Sequence, residues 1–200
     1  MGCGTTWEKM RQDFLGLPEQ KRLTVLELGP WRGEHSVFLS RHCKELLIIE
    51  GRLENFLRVE RRLIEEGGEA SHVLILGDIE DLNLAVFPAV HCVWASGILY
   101  HLPQPVRTIQ QIAEISPLCY GWTHLAADNE TQNNEGYGGR WYNECGREDS
   151  LSGMSEKSFW LAQSEFERAW NECGFNLQWL TEPAPHENGD LAAQFKATVR

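Results

Sequence analysis

The sequence predicts an α/β fold: a doubly wound, mostly parallel sheet with helices on both faces and a C-terminal antiparallel hairpin at one edge. Two patterns point there. Short runs that are apolar at nearly every position alternate with amphipathic stretches through the first half of the chain, as strands covered on both faces read. Each such run also stops at a glycine or serine break, the punctuation of a strand giving way to a loop and helix.

In order, residues 23–28 (LTVLEL) form the first strand and end at Gly29-Pro30. Residues 33–43 carry Val37, Phe38 and Leu39 among polar neighbours and read as a helix. A second strand follows at 45–50 (ELLIIE), then a helix through Leu53, Phe56, Leu57, Leu63 and Ile64 that Gly67-Gly68 stops. Residues 72–76, 90–95 and 118–125 supply three more strands, with a helix at 105–116 before the last. From 127 to 155 the chain turns polar and glycine-rich while keeping Tyr137, Trp141 and Tyr142, which predicts a long, ordered loop or lid (126–157) over the substrate side. A helix over 158–174 and strands at 175–180 and 192–199 complete a single domain spanning 1–200.

Composition narrows the function. With 200 residues, 42% hydrophobic and 24% charged, the chain suits a folded domain and not a disordered one. A net charge of −11 repels phosphate backbones and argues against a nucleic-acid partner. No apolar run approaches the ~20 residues that span a bilayer. The six cysteines (Cys3, Cys43, Cys92, Cys119, Cys145, Cys173) form no C-x-x-C pair, so neither a zinc site nor a disulfide framework is expected, and a reducing cytoplasm is. Met1-Gly2-Cys3-Gly4-Thr5-Thr6 fits a myristoylation pattern, but no basic stretch follows it, and a frayed start is the simpler expectation.

The chemistry concentrates at predicted strand ends. Glu27-Leu28-Gly29-Pro30-Trp31-Arg32-Gly33 runs from strand through glycine to a helix start, where backbone N–H groups can approach a ligand. Trp31 occupies the place where a dinucleotide fingerprint needs glycine. Glu27 two places before Gly29 suits a cationic ligand, not a phosphate. Glu50, with Gly51 after it, ends the second strand, where such folds place the acid that binds ribose hydroxyls. Asp78 and Ile79 follow the third, placed to accept an adenine amino group and flank its ring. In an open parallel sheet these ends face one crevice.

These residues resemble the class I S-adenosylmethionine-dependent methyltransferases over about residues 20–200. Glu27-Leu28-Gly29 resembles motif I, Glu50 the acid after the second strand, and Gly77-Asp78-Ile79 the adenine-side acid. Within the class, LELGPWRGEHS, ASGILYHL and WTHL look like one bacterial subgroup, as does Asn188-Gly189 after Pro185-His186. The resemblance implies a Rossmann-like fold and S-adenosylmethionine as cofactor, held by Glu27, Gly29, Pro30, Gly33, Glu50, Gly51, Asp78, Ile79, Ser96 and Gly97. Trp31 stands where the class usually has glycine, and Arg32 becomes a candidate for the cofactor carboxylate.

Ser96-Gly97-Ile98-Leu99-Tyr100-His101 follows the fourth strand, the usual catalytic edge of this fold, which makes Tyr100 and His101 candidates beside the transferable methyl. His101 is the first candidate base; His124 on the fifth strand, with Asp128 to orient it, is the second. Tyr137, Arg140 and Trp141 are candidates for a flat or anionic acceptor, whereas Phe159-Trp160 and Trp170 read as core. The expected reaction is methyl transfer to an oxygen or nitrogen of a small molecule or peptide. Methylation of tRNA or another RNA, and cofactor binding without turnover, are the alternatives.

Overall fold

The computed structural model describes residues 7–130, 132–186 and 190–200; the N-terminal Gly2-Cys3 pattern and Asn188-Gly189 lie outside them. An amphipathic helix α1 (Glu8–Leu15) buries Met10 and Phe14. The alternation read from the sequence follows: β1 (Thr24–Leu28), α2 (Glu34–His42), β2 (Glu45–Glu50), α3 (Leu53–Glu66), β3 (Ser71–Leu76), β4 (Cys92–Ser96), α4 (Pro105–Ile115) and β5 (Leu118–Leu125).

Strands β1 to β5 are parallel in the order β3-β2-β1-β4-β5. Their apolar runs face two cores. Val25, Leu46, Ile48, Trp94 and Tyr120 pack under α1, α2 and α3. Leu26, Leu28, Ile49, Val93 and Ala95 pack under α4 and the C-terminal elements. Covering both faces is what makes strand residues apolar without alternation. The outermost strand, β3, is the exception, with Val73 and Leu76 exposed. α1 is tied to the far side of the sheet by Asp13, which accepts hydrogen bonds from the Tyr120 hydroxyl and from Lys196 Nζ.

The second half departs from the expected long loop. Residues 126–157 hold β6 (Gln132–Asn134) and β7 (Tyr137–Asn143), which pair with β8 (Lys157–Leu161) in a separate three-stranded antiparallel sheet. Glu135 and Gly136 connect β6 and β7 with φ of 53° and 91°, the positive values a two-residue hairpin turn requires. Gly139 is needed for the pairing itself, since a Cβ there would lie 2.1 Å from the Trp160 carbonyl oxygen. Glycines read as loop punctuation are here the residues that let strands approach.

The helix expected over 158–174 likewise begins too early. Its first part is β8, and helix α5 spans Gln163–Glu172. The run Ser158-Phe159-Trp160-Leu161 is buried on both faces, and such short apolar runs fit a helix or a strand equally until a pairing partner decides. Here the partner is β7, reinforced by Phe159 N–H donating to the Leu102 carbonyl. At the C-terminus β9 (Phe175–Trp179) and the short β10 (Ala184–Pro185) pair antiparallel with β11 (Leu191–Val199), which inserts beside β5. The expected hairpin therefore closes the sheet edge. No helix among the described residues is long and apolar enough to cross a membrane.

Candidate active site

The C-terminal ends of β1, β2 and β4 open on one cleft of about 270 Å³. Glu27, Gly29, Pro30, Glu50, Gly51, Asp78, Ile79, Ser96, Gly97, Tyr100 and His101 all line it. The loop after β1 is shaped by positive φ at Gly29 (63°), Trp31 (50°) and Gly33 (78°). A Cβ at Gly29 would come within 2.8 Å of Ile98 Cδ1, so glycine there keeps the cleft floor open.

Each carboxylate is held differently. Glu27 is 1% exposed and accepts a 2.6 Å hydrogen bond from Ser36 Oγ. Burial, outweighing that hydrogen bond and reinforced by the charges of Glu50 and Glu34, raises its pKa to about 8. The Glu50 oxygens accept N–H groups from Arg52 (2.8 Å) and Trp31 (3.3 Å), which leaves further lone pairs for a ligand. Asp78 Oδ1 accepts the Glu80 N–H at 3.0 Å, and Ile79 packs beside it.

At the β4 end, the Tyr100 ring sits edge-on to Trp122 and lies 4.2 Å from the His101 ring. The position a Cβ would take at Gly97 is 3.9 Å from the Tyr100 hydroxyl; burial, with the charge of Glu144, raises that phenol's pKa. His101 Nδ1 lies 3.0 Å from Glu144 Oε1. Burial pushes the Glu144 carboxyl up, but hydrogen bonds from His101, Ser152 and Ser158 outweigh it and hold the pKa at about 2.

No protein-family model and no curated protein matches the chain. Solved structures do. The N-terminal domain of EvdMO1 in the presence of SAH and D-fucose superposes with a TM-score of 0.84 at 24% identity, covering 100% of this chain and 85% of that one. The same domain with SAH bound gives 0.83 at 25% identity over 96% of this chain and 80% of that one. An S-adenosylmethionine-dependent methyltransferase from Mesorhizobium loti gives 0.68 at 14% identity over 98% of both chains. The chain has the class I methyltransferase fold.

Within this methyltransferase fold several candidate residues point elsewhere. Arg32 is exposed and stacks 4.2 Å over the Trp31 ring, away from the cleft that Trp31 itself lines. Gly33 begins α2 and packs against Val59. His124 lies behind Tyr100, stacked on Trp160 at 4.8 Å, with Nδ1 buried and unpartnered. Burial, then the neighbouring His186, lowers its pKa to about 4. Asp128 does not orient it: that carboxylate accepts from the N–H and hydroxyl of Ser164 at the start of α5.

The three acceptor candidates are also turned away. Tyr137 bonds Glu172 and carries Arg168 4.3 Å over its ring. Arg140 pairs with Asp190 at 2.7 Å and lies over Trp160. Trp141 packs on Phe159 and borders a second cavity, with Arg107 and Asn134.

In their place the cleft gains Trp7, His35, Arg52, Asn55, Trp122 and residues 150–154. His35 stands in the GEHS stretch quoted above, so its neighbourhood had a signal. Arg52 follows Glu50-Gly51 directly, so its place beside the cleft had a signal too, whereas Glu144 and residues 150–154 had none, because only tertiary packing brings them here. Among the described residues, no group of three or more His, Cys, Asp or Glu side chains is disposed to share a metal ion.

Proposed function

We propose that this chain transfers a methyl group from S-adenosylmethionine to an oxygen of a small molecule. The observation that carries the reading is the convergence of Glu27, Glu50 and Asp78 on a single cleft. The residues suit that cofactor. Glu27 is a buried carboxylate whose charge is costly until a cation meets it, as the cofactor's ammonium would. Glu50 has lone pairs to accept ribose hydroxyls, and Asp78 beside Ile79 suits the adenine amino group and ring. The EvdMO1 domain was crystallised with SAH bound, and the Mesorhizobium loti neighbour is an S-adenosylmethionine-dependent methyltransferase, which supports the same choice.

S-adenosylmethionine, when bound, supplies an electrophilic methyl on a sulfonium. The chain's own part is to orient, exclude water and take up a proton. An ionised Glu144 only accepts hydrogen bonds, so His101 Nδ1 carries a proton toward it, and in the neutral ring this tautomer puts the lone pair on Nε2. Nε2 then takes the acceptor's hydroxyl proton as the oxygen–methyl bond forms and the sulfur–methyl bond breaks. Tyr100 and Trp122 supply flat apolar walls beside this position. A base oriented by a buried carboxylate favours hydroxyl acceptors over amines. Because a neighbour was crystallised in the presence of D-fucose, saccharide hydroxyls are the first acceptors to assay.

Titration calorimetry with S-adenosylhomocysteine tests the cofactor, and labelled-methyl transfer to matched hydroxyl and amine panels tests the acceptor. Binding together with hydroxyl-selective transfer is expected. Absence of binding overturns the reading, and salt-sensitive transfer to RNA would replace its acceptor. Binding without transfer to any acceptor would replace catalysis with a binding module.

A further inference from the structure

Glu144 follows β7 and is 43 residues from His101 in sequence, yet its 3% exposed carboxylate is fully engaged. Oε1 accepts from Ser158 Oγ at 2.7 Å and faces His101 Nδ1 at 3.0 Å. Oε2 accepts from Ser152 Oγ at 2.6 Å and from the Gly153 N–H at 3.0 Å. One oxygen thus serves the candidate base. The other holds the segment 145–156, a strap whose residues 150–154 roof the cleft.

Further contacts hold the strap on its two sides. Gly153 rides on the His101 backbone: a Cβ there would sit 2.4 Å from the His101 carbonyl oxygen. On the cleft's other side, Arg52 Nη2 donates to the carbonyls of Gly146 (2.7 Å), Ser152 (2.8 Å) and Gly153 (3.1 Å). Arg52 comes directly after Glu50-Gly51, and its N–H is one of the groups that hold Glu50. The strap is therefore clasped between a cofactor-side residue and the base.

We propose that Glu144 is a positioning residue that couples closure of the 145–156 strap over the cleft to the orientation of His101. Covering the cleft and setting the base then form one event: a strap lifted from Arg52 withdraws Ser152 and Gly153 from Oε2, frees the carboxylate to rotate, and releases Nδ1. The identity of the molecule under the strap rests on the cofactor reading above; the coupling itself does not.

The test uses the whole chain with and without S-adenosylhomocysteine, comparing wild type, Glu144→Gln and Arg52→Gln. Hydrogen exchange reads the strap amides and ¹⁵N NMR reads the His101 ring. The ligand is expected to slow strap exchange about tenfold in wild type. Arg52→Gln, which touches no His101 atom, is expected to loosen the strap and shift the His101 ring nitrogens together. Glu144→Gln is expected to lower kcat about 10- to 100-fold and move the pH–rate profile, with the acceptor KM changed much less. A loosened strap in Arg52→Gln with unaltered His101 nitrogens would overturn the coupling, as would a Glu144→Gln protein with an unchanged pH profile. Should Glu144→Gln not fold, Ser152→Ala with the same two readouts replaces it. A wild type that fails to bind S-adenosylhomocysteine sinks the cofactor reading alone, because the Arg52→Gln comparison is read without ligand.

Discussion

Glu27→Gln should remove a pH dependence of stability that wild type carries, and the size follows from the site. The folded state raises the Glu27 pKa from 4.5 to about 8, chiefly through burial. The folded state therefore holds a proton that the unfolded chain releases. Stability from this group is present below pH 4.5 and is lost as pH rises toward 8. Three histidines act in the opposite sense, His42 among them, lowered chiefly by burial. His35 and His124, depressed to about 3 and about 4 by burial, add stability as pH rises, but that gain is complete near the ordinary value of 6.5.

The window from pH 6.5 to 8 is therefore where Glu27 stands out. Over it wild type should lose about 2 kcal/mol relative to Glu27→Gln. For a chain of this size that is a relative fall in Tm of about 4–8 °C. The assay is a series of thermal melts on ligand-free protein across the window. The same ionisation serves binding: wild-type affinity for S-adenosylhomocysteine should tighten across the window. Glu27→Gln should bind about 10- to 100-fold more weakly at its upper end. A variant whose melting temperature tracks wild type at every pH would refute the assignment of a buried, proton-holding carboxylate.

The remaining predictions concern separate parts of the molecule. His101→Asn should lower kcat by about 10²–10⁴-fold while calorimetry finds S-adenosylhomocysteine binding retained; unchanged turnover would remove the base. Gly29→Ala imposes φ of 63° on a side chain and drives its Cβ to 2.8 Å from Ile98 Cδ1. It should cost about 1–2 kcal/mol in denaturant melts and weaken cofactor binding measurably. Trp94→Ala empties a fully buried position among Phe14, His35 and Tyr120, and chemical denaturation should show a loss of about 3–5 kcal/mol.

The apolar runs that carry Glu27 and Glu50 and lead to Ser96, and the loop carrying Asp78, are legible in the sequence because the pattern is local. A strand buried on both faces must be apolar along its length, its end must be punctuated, and parallel neighbours must end on the same side. The acids that follow are then forced toward one crevice. The second half resisted the same treatment. Gly139 reads as a loop residue and Phe159-Trp160 as a helix face, because short glycine-rich and apolar segments take their conformation from a partner. Strand β7 becomes a strand only against its neighbours β6 and β8.

Chain order alone determined that three carboxylates would share a cleft and that His101 would stand beside it. Tertiary packing decided the rest: that Arg32 covers Trp31, that Tyr137, Arg140 and Trp141 face away, and that the expected substrate-side lid instead straps the cleft through Arg52. It also decided that His101 answers to Glu144. Neighbours along a strand are set by a period of two residues, whereas a hydrogen bond across 43 residues depends on which surfaces meet once the cores have closed.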